Sequence, residues 1–338
     1  MPDRRARTRA RSTAVAITLT ANANPTISIV VPCHNEAQSL QSFLRATNAA
    51  LETIAGASFE LVFIDDGSTD ATLATLLAFA EGDPRIRIIE LSRNFGKEAA
   101  LTAGIDFASG DAVIPIDADL QDPPAVIAAL IEKWREGYEV VLAQRVDRNT
   151  DSLFKRITAH WFYRVHNTLA DHTVPENVGD FRLMDRKVID ALKRFPERSR
   201  FMKGLFAWVG FRTVSVEYQR APRIADASKF GFWRLWNFAL EGITGFSTLP
   251  LRVWTYFGFT VSRCEFVYGT FMLIRTLLQG NDVPGYASLL VSVMFLGGLQ
   301  LMGLGIIGEY VGRVHQEAKG RPIYIVRRTY PGDTDRGA

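Results

Sequence analysis

Asp117 and Asp119, one residue apart in the stretch VIPIDADLQDPP at 113–124, are the side chains of this chain best suited to hold a cation. The apolar run 113–116 reads as a short buried strand ending at Asp117, and Pro123-Pro124 closes the segment. Two carboxylates so spaced at the carboxyl edge of a buried strand can both face a ligand, and open α/β sheets bind ligands at that edge. Hard oxygen ligands of this kind suit Mg²⁺ or Mn²⁺, which commonly completes its shell with substrate phosphates. The competing description is a solvated acidic turn, because D-x-D arises often by chance. The neighbouring elements decide between the two.

Those elements alternate. Residues 27–31 (ISIVV) form a β-branched run ended by Pro32, and a segment to Ile54 carries Leu40, Phe43, Leu44 and Leu51 at helical spacing. A second strand, 59–64, runs into Asp65–Asp70, where Ser68 or Thr69 can cap a helix reaching Ala80. Strands at 86–91, 112–116 and 139–143 alternate with helices at 96–108 and 124–136. This order predicts an α/β fold whose mainly parallel sheet is covered on both faces. Beyond Arg145 the pattern loosens to a helix at 152–169 with Phe154, Trp161, Phe162 and Tyr163, then a loop at 171–179. The stretch 180–184, a short helix at 188–194 and a strand at 213–218 follow.

The 338 residues suffice for one sizeable domain plus extra elements, and a net charge of +3 does not argue for nucleic acid. Arg4, Arg5, Arg7, Arg9 and Arg11 make the first residues basic without an apolar core before Pro25, so this arm is not a secretory signal. It reads either as a disordered segment for an anionic membrane surface or as residues upstream of the true start. Cys33 and Cys264 imply neither a disulfide framework nor a zinc site, as suits a reducing cytoplasm.

Residues 287–308 carry no charge and one strongly polar side chain, Gln300; about 22 residues give roughly 33 Å, enough to cross a hydrocarbon core of about 30 Å. Gly297, Gly298, Gly303, Gly305 and Gly308 would let another helix approach closely. The preceding apolar stretch, 253–278, contains Arg263 and Glu265, each costing about 2.5–3.5 kcal/mol at a bilayer centre. As a span it requires partners for them: Glu265 with Gln300 across a hairpin, or Arg263 with Glu265 between subunits; Arg275 can snorkel. The link 279–286 has no Lys or Arg while both outer flanks are basic, so both termini are expected in the cytoplasm. Between 232 and 246, Phe232, Leu235, Trp236, Ala239, Leu240, Ile243 and Phe246 form a helical stripe. That stripe packs on the domain or lies in the membrane interface, which tryptophans near Arg234 favour.

PCHNEAQSL (32–40), DDGSTDAT (65–72), SRNFGKEAAL (92–101), DADLQDPP (117–124), GDFRLM (179–184) and GEYVGRVHQEAKGRPIY (308–324) together resemble family 2 glycosyltransferases. The resemblance is to the polyprenyl-phosphate enzymes, which include the dolichol-phosphate mannose synthases and bactoprenol glucosyltransferases, and spans nearly everything from 27 to 328. It implies a glycosyltransferase-A fold, a nucleotide-sugar donor, a polyprenyl (undecaprenyl) phosphate acceptor, and inversion at the anomeric carbon. It implies an inner-membrane, multi-pass enzyme with a catalytic domain at 26–228, preceded by the basic arm at 1–25 and followed by interfacial helices at 229–250. A transmembrane pair within 251–309 and a basic cytoplasmic tail at 310–338 complete it.

The resemblance also assigns roles. Asp117 and Asp119 hold the metal with Gln121 as third ligand, and Asp119 and Asp180 are catalytic. Pro32, His34, Glu36, Asp65, Asp66, Lys97, Asp117, Ala118, Arg145, Arg223 and Lys229 bind the nucleotide sugar. Asp66 would accept hydrogen bonds from a base or ribose, and Arg145, Arg223 and Lys229 would supply fixed charge for phosphates. His34 departs from the residue types usual at its position, and Asp226 stands where relatives carry glycine. A lipid phosphate is largely dianionic at neutral pH and serves as its own nucleophile, so Asp180 is expected to orient the acceptor or a cation. Lys155, Arg156 and Arg164 could guide the lipid phosphate, or simply form a solvated helix face.

Glucose from UDP-glucose is the expected sugar; N-acetylglucosamine, mannose from GDP-mannose, galactose or an aminoarabinose derivative are the alternatives. A processive polysaccharide synthase would need a Q-x-x-R-W string, and none occurs. A non-catalytic scaffold would need neither the acidic pair nor Asp180. The glycine-rich second span favours a homo-oligomer, with membrane lipids as further partners.

Overall fold

The computed structural model describes residues 24–146, 178–198, 202–219, 249–279 and 285–331. Its first half is the predicted alternation: β1 (Thr26–Cys33), α1 (Leu40–Glu52), β2 (Ser58–Asp65), α2 (Thr72–Gly82), β3 (Ile86–Leu91), α3 (Lys97–Phe107), β4 (Ala112–Pro115), α4 (Val126–Arg135) and β5 (Val140–Arg145). Then come β6 (Val178–Asp185), α5 (Arg186–Lys193), α6 (Met202–Trp208), β7 (Thr213–Tyr218), the long helices α7 (Leu249–Gln279) and α8 (Tyr286–Ala318), and β8 (Val326–Tyr330).

All eight strands share one sheet in the order β7-β5-β6-β4-β1-β2-β3-β8. The β1–β2, β2–β3, β1–β4 and β5–β7 pairs are parallel, whereas β6 runs against β4 and β5, and β8 against β3. Apolar side chains leave both faces of the central strands. Ile27, Ile29, Val31 and Phe63 pack with Phe43, Leu76 and Leu130 on one side, and Val30, Val62 and Ile64 pack with Ala100, Ala103 and Ile105 of α3 on the other. Burial on both faces explains the near-continuous apolar runs of β1 and β2. Each fully buried side chain of this size contributes about 1.5–3 kcal/mol.

Two expectations are corrected, and one further segment gains an element. The stretch 180–184 is the body of strand β6, inserted between β4 and β5. Neither Ser68 nor Thr69 caps α2: the Asp70 carboxylate, closer to the first turn, accepts the Thr72 N–H at 2.9 Å, while the Ser68 hydroxyl accepts the N–H of Asn35. The tail after 310 is not all appendage, because 326–330 forms the outermost strand. There Arg327 and the Tyr330 hydroxyl reach the buried Glu90 at 3.1 and 3.2 Å, and Ser92 N–H donates to the Ile325 carbonyl at 2.9 Å.

Helices α7 and α8 pack against each other, and Gly303 gives the room: a Cβ there would collide with the Trp254 indole. Their outer surfaces are apolar and uncovered, Phe266 and Leu277 each being 77% exposed. Among the described residues one helical stretch, Phe295–Ala318, is long and apolar enough to cross a membrane. The stretch expected as a first span, 253–278, is helical but falls short of that apolar character, with Arg263 and Glu265 in its middle. The expected Glu265–Gln300 contact, the helix at 152–169 and the stripe at 232–246 lie outside the described residues and side chains.

The end of α8 is tied to the sheet domain. Glu317 accepts the Arg198 N–H at 3.0 Å, and the Tyr324 hydroxyl donates to Asp106 at 2.9 Å. Deleting 326–338 would uncover Ile88, Ile89 and Leu91 and strip Glu90 of its partners. The truncated protein should melt about 5 °C lower. Thermal denaturation followed by circular dichroism checks this, and an unchanged midpoint would show that β8 adds nothing to the fold.

Candidate active site

The carboxyl ends of β1, β2, β4, β5 and β7 lie along one edge of the sheet, and antiparallel β6 begins there. That arrangement gathers side chains far apart in the chain. Pro32, His34 and Glu36 follow β1, and Asp65 and Asp66 follow β2. Asp117, Ala118, Asp119 and Gln121 follow β4, Arg145 ends β5, and Asp180 sits near the start of β6.

Lys97, the first residue of α3, joins the two acidic segments. Its ammonium lies 2.7 Å from Asp117 Oδ2 and 2.9 Å from Asp180 Oδ2. Burial opposes the ammonium, but the charges and hydrogen bonds of Asp117 and Asp180 outweigh it and hold the lysine pKa above its usual range. Burial raises the Asp117 carboxyl; Lys97 acts the other way, while neighbouring Asp180 and Asp119 reinforce the rise. The lysine side chain is 47% exposed and the Asp117 side chain 32%, so each pair contributes about 1 kcal/mol or less and can be displaced by a stronger ligand charge.

Leu120 has φ 58, a left-handed conformation that costs a side-chain-bearing residue about 1–2 kcal/mol. This turn brings the Gln121 N–H within 3.0 Å of Asp119 Oδ1. Strain of this kind persists where surrounding contacts over-determine it, commonly at functional turns. Among the described residues no three His, Cys, Asp or Glu side chains form a ready-made metal cage. The carboxylates of the turn could supply only part of a hard-oxygen shell, the kind that suits a cation also taking water and phosphate oxygens.

A polar network fixes the loops after β1 and β2 to each other. Asn35 Oδ1 accepts the N–H of Thr69 at 2.8 Å, and Glu36 N–H donates to the Thr72 hydroxyl at 2.9 Å. His34 Nδ1 lies 2.9 Å from the Asp66 carbonyl and its Nε2 3.0 Å from the Asn94 amide. A carbonyl can only accept, so Nδ1 carries the proton and Nε2 accepts from Asn94.

Asp66, expected to meet a base or ribose, is engaged within the chain: its two oxygens accept the N–H groups of Phe95 and Gly96 at 2.7 and 2.9 Å, bracing the turn into α3. Gly67, at φ +61, lies so close to that turn that a Cβ would sit 2.5 Å from the Arg93 carbonyl carbon. Asp65 keeps its carboxyl toward the edge, where burial raises its pKa, Ser68 lowers it and nearby Glu90 raises it.

On the other flank, Arg145 Nε donates to the Tyr218 hydroxyl at 3.2 Å, and that hydroxyl donates to the buried Asp122. Beneath Asp180, Arg182 is buried: it donates to the Gly179 carbonyl at 2.6 Å and lies 4.2 Å from the Phe206 ring centre. Burial pulls its guanidinium down to about 10, against the charges of Asp180 and Glu98. Sequence reasoning missed Tyr218, Arg182 and Asn35. Only Asn35 carried a signal, standing between His34 and Glu36 in a loop too short to be a helix. Arg223, Lys229 and Asp226 lie outside the described residues, as do Lys155, Arg156 and Arg164.

Residues 28–193 match the family model described as glycosyl transferase family 2. The chain is 54% identical over 307 residues to the SfII prophage-derived bactoprenol glucosyl transferase of Shigella flexneri, covering 91% of this chain and 99% of that one. It is 53% identical over 302 residues to the prophage bactoprenol glucosyl transferase homolog of Escherichia coli K12, covering 89% and 98%. An uncharacterised glycosyltransferase of Bacillus subtilis is 43% identical over 303 residues, covering 90% and 94%.

The brace role of Asp66 has a consequence for stability. Asp66→Ala removes the acceptor of two part-buried N–H groups, a cost of about 1–2 kcal/mol. It should lower the melting temperature of the ligand-free protein by several degrees. A carboxylate that served only a ligand would leave that melting temperature where it is.

Proposed function

Because the chain belongs to glycosyl transferase family 2, and is a glycosyltransferase, we propose that it moves glucose from a nucleotide diphosphate sugar to a polyprenyl phosphate at a membrane face. The observation that carries this is the meeting of Asp117 and Asp180 on one lysine at the carboxyl edge of a GT-A-like sheet. The names of the relatives that match over nearly the whole chain support glucose and bactoprenol.

On this reading a phosphate oxygen of the lipid attacks the anomeric carbon as the bond to the nucleoside diphosphate breaks on the opposite side, so configuration inverts. The acceptor dianion brings its own nucleophile, and no strong base is required. Asp180 orients the acceptor and balances the cationic charge beside it. Asp117 and Asp119, with Gln121 next to them, would hold Mg²⁺ or Mn²⁺, which when bound neutralises charge on the departing diphosphate as a Lewis acid. Lys97 balances Asp117 and Asp180 when the donor is absent. Pro32, His34, Glu36, Asp65 and Ala118 line the nucleoside side, and Asp66 acts by holding the turn at 95–96. Arg145, with Arg223 and Lys229, meets phosphate groups.

The catalytic unit of 26–228 is completed by β8 and stands on α7 and α8. We read these helices as a membrane hairpin with its link outside and both termini in the cytoplasm, because the link lacks Lys and Arg while both flanks are basic. The open glycine surface of α8, including Gly297, Gly298 and Gly305, suits contact with a second copy.

Purified protein offered a panel of radiolabelled nucleotide sugars with undecaprenyl phosphate and Mg²⁺ should glucosylate the lipid from UDP-glucose. EDTA should stop the reaction, and added Mg²⁺ or Mn²⁺ should restore it. Asp119→Asn should lower turnover by about 100-fold or more with folding and membrane insertion intact. Unchanged turnover in that variant removes the metal-site assignment, and transfer from another sugar alone removes glucose.

A further inference from the structure

Arg145 ends β5 directly opposite Tyr218, the last residue of β7, in the parallel register of the two strands. A phenol hydroxyl donates one hydrogen bond and accepts others. Here the Tyr218 hydroxyl donates to Asp122 and accepts from Arg145 Nε, so it stands between the two charged groups. Arg145 and Asp122 approach no closer than 3.9 Å, too far for a direct hydrogen bond. The Arg145 Nη2 lies on the Gly179 side, where an added Cβ would sit only 3.4 Å away, and Asp180 follows. The Tyr218 ring is itself fixed: Phe181 of β6 meets it edge-on at 6.0 Å and 88°. Asp122 is 4% exposed.

We propose that Tyr218 is a positioning residue: its hydroxyl spaces Arg145 from Asp122, so that the guanidinium fork is directed toward the acidic centre to receive a phosphate. The inference rests on the reading of Arg145 as a phosphate-binding arm. Without the hydroxyl, Arg145 tightens its loose 3.9 Å ion pair with Asp122 into direct hydrogen-bond contact, and its fork is spent there. Burial and the Asp122 hydrogen bond push the Tyr218 phenol up to about 12, so it remains a donor throughout the neutral range. Phe181 links this device to the strand that carries Asp180, placing arm and carboxylate at a fixed separation.

Steady-state kinetics on the full-length protein in detergent, with nucleotide sugar and lipid phosphate varied separately, test this. Tyr218→Phe keeps the ring on Phe181 and removes the spacer. It should raise one KM about tenfold while changing kcat less than about twofold, with an unaltered melting temperature. The substrate whose KM moves identifies whose phosphate Arg145 receives. In an Arg145→Ala background the same change should have no further effect. Wild-type kinetics for Tyr218→Phe beside an impaired Arg145→Ala, or effects that multiply in the double variant, overturn the spacer. Wild-type kinetics for Arg145→Ala overturn the phosphate arm itself, and the spacer with it. Should Tyr218→Phe melt early, Arg145→Lys replaces it: the charge stays, the Nε donor is lost, and the same KM should rise. A wild-type KM there overturns the proposal.

Discussion

Carboxylates crowded along one sheet edge repel, and in a half-dry environment two such charges a few ångströms apart cost several kcal/mol unless something answers them. The edge is built from several distinct answers. Asp66 is met by backbone N–H groups, Asp70 by the first turn of α2, Asp122 by a phenol and Asp117 with Asp180 by a lysine. These partners differ in how firmly they hold. Backbone donors and the buried phenol are set by the fold, whereas Lys97 is a point charge on a flexible four-carbon stem. The acidic pair therefore has the one replaceable partner among these, at the position where incoming cation or phosphate chemistry is expected.

Position in the sheet explains how Asp180 comes to share that lysine. A strand running with its neighbours would present its last residues at the ligand edge; β6 runs against β4 and β5 and presents its first. The GDF segment thus arrives from the sheet interior's opposite direction, and Phe181 and Leu183 point into one core while Met184 joins the other. Arg182, alternating with them, is driven inward beneath Asp180 and stacks on Phe206 instead of reaching water.

Much of this was legible beforehand because apolar runs and short motifs are local. β1 to β5 and the helices between them follow from β-branched runs and helical spacing, and the acidic pair follows from its place at the end of one such run. The parts that were not legible depend on pairing across the chain. Nothing in GDFRLM announces a strand, since its glycine and charges break the run, and only the open slot between β4 and β5 makes it one. The 326–330 segment carries two arginines and a threonine, ordinary for a solvated tail, yet those charges suit an edge strand that must not recruit another chain. Asp66 was assigned by residue type to a ligand, whereas its neighbours at 95–96 approach only through the β3–α3 turn. Tyr218 had no signal at all, because its hydroxyl partners come from the end of β5 and from the turn after β4.

The outermost strand follows α8 in the chain, while the strand it covers precedes α8 by nearly two hundred positions. Order of synthesis then matters. β3 is made early and remains an open edge until the long apolar helices have been produced and β8 has emerged. Domains fold from the first-made end, and an uncovered edge strand is a template for unwanted pairing. The sheet is thus sealed at this end by a five-residue strand that is synthesised after both long helices.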